Sequence, residues 1–227
     1  MTANIQKIFE AIGRKYDYPE VTATWDECRD LKVSWIRTST YIDIYIPDYL
    51  KGLESKDMKA MADLLFKRIT MCSQDPYPKN VVEYLTSQEF RDKNVPTYLK
   101  RTTRVSPGHN HVDLSDSVAR LKDQGLLSDQ DLEGVTLRYC GELGDIAFRS
   151  SVLMKCALIH RRLDVCSIPW DIMDFLVYCA VKCASIGFTE DGAAFREGVT
   201  DVIDGYPDAK TYKKALSEMG LKLTSFS

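Results

Sequence analysis

Two thiols, Cys179 and Cys183, stand four residues apart in Phe175-Leu176-Val177-Tyr178-Cys179-Ala180-Val181-Lys182-Cys183, a stretch that reads as helix. Residues four apart on a helix lie about 40° apart around its axis, so both sulfurs face the same way. A thiolate pair placed like that can hold a metal, zinc first, or sense oxidants if one thiol is acidic and accessible. The plainer reading is packing. Free cysteine is among the most buried residue types, and Cys-x-x-x-Cys lacks the usual spacing of structural zinc. A second group is His109-x-His111-x-Asp113, in a polar loop after Pro107-Gly108. That spacing binds metal when a further histidine follows the aspartate, but Leu114 stands there, and an exposed loop is the simpler account. His160 ends an apolar run beside Arg161 and Arg162 and reads as a structural histidine. Glycine-rich phosphate loops and a Gly-x-Ser-x-Gly elbow do not occur.

The elements that must position these groups are set by periodicity. Ile5, Ile8, Phe9 and Ile12 predict an amphipathic helix over 4–16, with Asn4 as its cap. Strands are expected over 21–25, 32–37 and 41–47, with Trp35, Tyr41 and Tyr45 packing in the core or on a sheet face. Ser55 is placed as the cap of a helix to about Cys72, with Met58, Met61, Ala62, Leu65, Phe66 and Ile69 on one side. Pro76, Pro78 and Pro96 interrupt the next stretch, leaving short helical pieces at 81–85 and 89–91. Residues 73–134 therefore read as an insertion or connector, ending in a helix over about 114–126. Strands over 135–140 and 152–160 precede a long helix over 168–185. That helix has Pro169 in its first turn and apolar residues on nearly every side, so it is expected to be central and buried. Helices over about 192–203 and 209–219 come last. No sequence repeat or convincing linker breaks the chain, and the expectation is one α+β domain over 1–227.

Composition removes several function classes. Of 227 residues, 30 are basic and 33 acidic, a net charge of −3 with no concentrated basic stripe, so nucleic acid is not the expected partner. No apolar run reaches the ~20 residues of a membrane span, and the first residues lack the pattern of a secretory signal. A cytoplasmic protein with no membrane partner is expected. Seven scattered cysteines, an odd number, then read as reduced thiols and not as a disulfide framework.

The words Phe148-Arg149-Ser150-Ser151-Val152, His160-Arg161-Arg162-Leu163-Asp164, Ile168-Pro169 and Met173-Asp174-Phe175-Leu176-Val177-Tyr178 come in an order that resembles the SprT-like and related small zincin-type metallopeptidases. In that family a strand ending near an Arg-Leu-Asp turn leads through a proline into the helix that carries Tyr-His-Glu-x-x-His. Val33-Ser34-Trp35-Ile36-Arg37 and Ile46-Pro47-Asp48-Tyr49-Leu50 are similar to its upstream strand and helix entry, and Tyr206-Pro207 and Tyr212-Lys213-Lys214 to its closing helix. The resemblance implies a zincin-like α+β core, a small sheet packed on the helix at 168–185. It puts Cys179 and Cys183 on the two histidines, Ala180 on the catalytic glutamate and Asp191 on the third metal ligand. The set is a vestigial one.

Alanine cannot accept a proton from a metal-bound water, and a missing base typically lowers the rate by about 10²–10⁴. The leading expectation is a catalytically inactive metallopeptidase homologue, a pseudoenzyme that serves as a protein- or peptide-binding scaffold without a cofactor. Two other expectations stand beside it. One is a thiolate metal-binding or redox-sensing protein using Cys179 and Cys183, with Asp191 completing a zinc set. The other is a hydrolase with its metal site moved to His109, His111 and Asp113.

Overall fold

The computed structural model describes residues 4–29, 31–103, 111–141, 143–189 and 192–223. They form an α+β protein of two compact units, residues 1–94 with 189–192 and residues 95–188 with 193–227. Each unit is built on its own three-stranded sheet.

In the first unit, α1 (Ile5–Gly13) opens at Asn4, whose side chain accepts from Lys7 N–H as the sequence suggests. Its apolar stripe of Ile5, Ile8, Phe9 and Ile12 is buried, and a 3₁₀ turn over Arg14–Tyr16 ends it. Gly13 allows close packing. A β-carbon there would lie 2.5 Å from Val21 Cγ2 and 2.9 Å from the Phe66 ring, so any side chain would push α1 off its neighbours. Strands β1 (Glu20–Asp26), β2 (Ser34–Arg37) and β3 (Tyr41–Pro47) come next, in the order β1-β3-β2. β3 runs parallel to β1 and antiparallel to β2. Alternation sets the faces: Val21 and Ala23 of β1 and Ile42, Ile44 and Ile46 of β3 are buried, while Glu20, Thr22 and Thr24 face water. Of the two expected settings, Trp35 and Tyr45 take a sheet face, 44% and 36% exposed. Trp35 lies on the end strand β2, all of whose residues are exposed, and Tyr45 falls between the buried Ile44 and Ile46 in the alternation of β3.

Helix α2 (Ser55–Met71) buries Met58, Ala62, Leu64, Phe66 and Ile69. Glu54 holds the cap position instead of Ser55, and no side-chain capping bond forms. Residues 73–134 are more helical than expected. Besides α3 (Lys79–Thr86), they carry a continuous α4 (Gln88–Thr103) that runs straight through Pro96. A proline inside a helix removes one hydrogen bond and typically destabilises it by about 3 kcal/mol. A stripe at four-residue spacing offsets that, since Phe90, Asn94, Tyr98 and Thr102 are all buried. Asn94 Nδ2 also donates to Phe90 O at 3.0 Å and Thr102 Oγ1 to Tyr98 O at 2.7 Å.

The second unit repeats the sheet topology of the first. After α5 (Leu114–Asp123) and the single turn α6 (Asp129–Leu132) come β4 (Thr136–Cys140), β5 (Phe148–Ser151) and β6 (Cys156–His160), ordered β4-β6-β5. β6 is parallel to β4 and antiparallel to β5. The strand expected over 152–160 is a turn followed by β6. Lys155 has a φ of 45°, Lys155 N–H donates to Val152 O, and Ser151 Oγ accepts from Met154 N–H. A 3₁₀ turn over Arg161–Leu163 then leads to α7 (Trp170–Ser185), with Pro169 at its cap. Helices α8 (Gly192–Asp204) and α9 (Ala209–Glu218) complete the unit. No helix among the described residues is long and apolar enough to cross a membrane.

One charge is buried in α7. Asp174 is 1% exposed and accepts from Arg120 Nε and Nη2 of α5 at 2.9 and 2.7 Å. Removing one partner of a buried pair strands the other charge, typically at about 3–5 kcal/mol. Arg120→Ala is expected to lower stability by about 3 kcal/mol, the low end of that range because the arginine is partly exposed. Urea denaturation reads the loss, and adding Asp174→Leu to Arg120→Leu is expected to recover most of it.

Candidate functional site

Helix α7 carries the residues that sequence singles out, and it is covered by apolar neighbours almost all round. Ile172, Met173, Phe175, Leu176, Val177 and Val181 are buried. Each such side chain contributes roughly 1.5–3 kcal/mol by leaving water. Cys179 and Ala180 are fully buried and Cys183 is 2% exposed, all within the same apolar cluster. The two thiols do share a side of the helix, close enough for Cys179 to feel a charge on Cys183. Burial pushes the Cys179 thiol well above its ordinary range, with Cys183 adding to the rise and Lys213 of α9 opposing it. Burial alone pushes Cys183 up to about 12. Both are neutral thiols at physiological pH, neither nucleophiles nor ready ligands.

A zinc site needs a third and usually a fourth donor. Among the described residues no three of His, Cys, Asp and Glu come together as a ligand set. Asp191, placed third by the family resemblance, and Glu190 beside it lie outside the described residues. Two neutral thiols in an apolar cluster do not fit a zinc ion by themselves.

Above Ala180 lies β5. Ser150 Oγ donates to Ala180 O at 2.7 Å, tying the strand to the helix. β5 is an end strand, bonded to β6 on one side only within the sheet. His160 N–H donates to Ala147 O. Antiparallel alternation then turns the backbone groups of Arg149 and Ser151 toward β6, and those of Phe148 and Ser150 outward. Sequence does not single out Ser150, since a serine in a short strand gives no signal until its partner is known.

The loop group resolves into structural roles. Asp113 caps α5, its side chain accepting from Ser115 N–H at 2.9 Å. His111 is exposed, and its backbone N–H together with that of Val112 donates to Asp164 Oδ1 at 2.9 and 3.0 Å. The buried Asp164 thus anchors His111 and Val112, a role that sequence reasoning missed. His109 lies outside the described residues. His160, 3% exposed, has Nδ1 accepting from Arg162 N–H and Nε2 3.0 Å from Gly144 O, so both nitrogens serve the backbone. An aromatic group of Phe175, Tyr178, Tyr206 and Tyr212 also packs by α7, with ring centroids 4.8–5.9 Å apart. Burial, and then Asp174, pushes Tyr206 up to about 12.

Compared with protein-family models, with curated proteins and with solved structures, the chain finds no match in any of the three.

The thiols give two measurable consequences. In native protein at pH 8, iodoacetamide is expected to modify the exposed Cys72 and Cys166 within minutes and to leave Cys179 and Cys183 intact, as peptide mass mapping would show. Stability is expected to fall in alkali. Burial holds Cys156 and Cys183 up to about 12, against an ordinary 9.0. Between those values the unfolded chain releases protons that the fold retains, so stability present below pH 9 is lost as pH rises toward 12. The slope is about 1.4 kcal/mol per pH unit for each thiol. Urea midpoints across pH 8–11 are expected to show this decline, and Cys156→Ala/Cys183→Ala to make it shallower.

Proposed function

We propose that this chain is a degenerate relative of the SprT-like metallopeptidases, a zincin-like scaffold whose catalytic centre has become packing and whose retained activity is to hold an extended peptide along the edge of β5. The observation that carries the reading is the bond from Ser150 to Ala180. An antiparallel end strand lies across the buried helix, and beneath it the residue in the position of the base is a buried methyl group. The connection from β6 through the Arg161–Leu163 turn, Asp164 and Pro169 into α7 has the order of elements that the resemblance implies.

The chemistry supports binding over turnover. A buried alanine takes no proton, and buried neutral thiols do not activate water. A sheet edge needs neither. Its outward N–H and C=O groups pair with any extended chain, and the side chains around it select the sequence. The two rival expectations have less behind them. Redox sensing requires an accessible, acidic thiol, and Cys179 and Cys183 are neither. A relocated metal site requires Asp113 as a ligand, and that carboxylate caps α5.

Fluorescein-labelled unfolded casein tests the reading. Its anisotropy is expected to rise on titration with the chain, with no new amino termini released in the presence of zinc. Ser150→Pro, which removes an outward donor and the tie to α7, is expected to weaken binding at least tenfold. Zinc-dependent hydrolysis that is abolished by Glu190→Gln or Asp191→Asn would sink the proposal.

A further inference from the structure

The edge of β5 is not bare. At the end of α9 the chain turns on Gly220, whose φ of 75° is one that side chains rarely allow. Gly220 N–H donates to Ser217 O at 3.0 Å and Leu221 N–H to Leu216 O at 2.9 Å, the paired reverse bonds that close a helix. This turn delivers Leu221, Lys222 and Leu223 to the sheet. Lys222 N–H donates to Asp145 O, and Ala147 N–H donates back to Lys222 O, both at 2.7 Å, pairing Lys222 with Ile146 in parallel. Phe148 N–H, the first outward donor of β5, is taken by Leu223 O at 3.1 Å. These bonds make an isolated parallel bridge at Ile146, just before β5, with one further bond onto the first residue of the strand.

Side chains reinforce the seat. Leu221 is buried in the cluster that surrounds α7, and Lys222 Nζ lies 2.7 Å from Asp145 Oδ2. That ion pair is exposed, so it selects charge more than it adds hold. The segment also lines a cavity of about 440 Å³, shared with residues of α8 and α9 such as Ile203 and Lys213. The segment is therefore seated by its backbone, by the buried Leu221 and by Leu223, which is partly buried against the same cluster.

We propose that Leu221–Leu223 is an internal occupant of the β5 edge, standing where a partner's extended segment binds, and that the partner segment carries the same apolar-lysine-apolar pattern. This rests on the edge-binding reading and adds a competitor and a sequence preference to it. The partner's lysine meets Asp145, its first apolar residue takes the place of Leu221, and its backbone continues outward to Ser150. A partner must displace the tail, so the edge is open only for the fraction of time the tail is away. A tail seated nine-tenths of the time weakens an incoming peptide tenfold.

The test uses a fluorescein-labelled peptide with the sequence of residues 219–225 and the full chain, native and as Lys222→Pro. That substitution removes the N–H bonded to Asp145 and the ion pair, and leaves both leucines. Thermal unfolding checks that the variant folds. Hydrogen exchange at Ala147 and Phe148 checks that the tail has left; if those amides stay protected, a chain ending at Gly220 replaces it. The expected result is at least tenfold tighter binding to the released chain, with loss of binding when the peptide's lysine is changed to glutamate. Glutamate peptide is in turn expected to bind Asp145→Lys. Equal affinity for native and released chains overturns the proposal and leaves edge binding standing. No binding to a folded, released chain overturns the edge reading and this proposal together.

Discussion

A helix that is apolar all round has to be covered on every side, and in the second unit the covering of α7 accounts for most of the other elements. β5 and β6 lie along it, α5 reaches it through the bidentate Arg120–Asp174 pair, and the turn α6 reaches it through Lys182 and Asp131 at 2.8 Å. The aromatic rings of Tyr206 and Tyr212 close over Phe175. Asp174 is the one carboxylate of α7 admitted to this interior, and its partner arrives from a different helix. The burial that stabilises the unit also puts Cys179, Ala180 and Cys183 out of reach of water, while Trp170 and Lys182 leave part of α7 exposed.

The two units reach the same strand arrangement from different sequences. In each, a helix precedes three strands, the third strand sits between the first and second, and a 3₁₀ turn leads to a long helix: α2 in one, α7 in the other. The sequence shows no repeat, and the burial differs. β3 alternates while β6 is buried at every position, as expected for strands with one and two covered faces. The shared feature is a short hairpin whose second strand pairs in parallel with an earlier strand. That is a compact way to give three strands one continuous ladder and send the chain back across as a helix.

Much of this is legible in the sequence. The stripe of α1, the alternation through Tyr41–Ile46 and the length and all-round apolarity of α7 each produce a pattern that survives without tertiary information. The features that fail to show have physical causes. The turn at 152–155 is closed by a lysine with positive φ and a serine hydroxyl, in a run of Val, Leu and Met that carries no glycine or proline to mark it. Pro96 reads as a break because the burial that holds α4 together is spread over Phe90, Asn94, Tyr98 and Thr102, a stripe half polar by composition. The spacing of Cys179 and Cys183 does put them on one side of α7; how deeply they lie is a property of the neighbours and not of that spacing. Ser150 and Asp164 act through partners 30 and more than 50 residues away.

Strand β2 has a consequence for how the folded chain meets copies of itself. Ser34, Trp35, Ile36 and Arg37 form the outer strand of the first sheet, with two large apolar side chains in water. An exposed apolar edge invites the same edge of another molecule, and the usual safeguards are brevity and charge. Both are present. Four residues extend only about 13 Å, too short a template for the six- or seven-residue segments that stack into fibrils. Arg37 folds inward to Ile69 O at 2.6 Å, which fixes the last residue of the strand to α2. Brevity and an inward-turned arginine are the safeguards of this edge, and lengthening β2 by a few β-branched residues would make it a longer template for self-pairing.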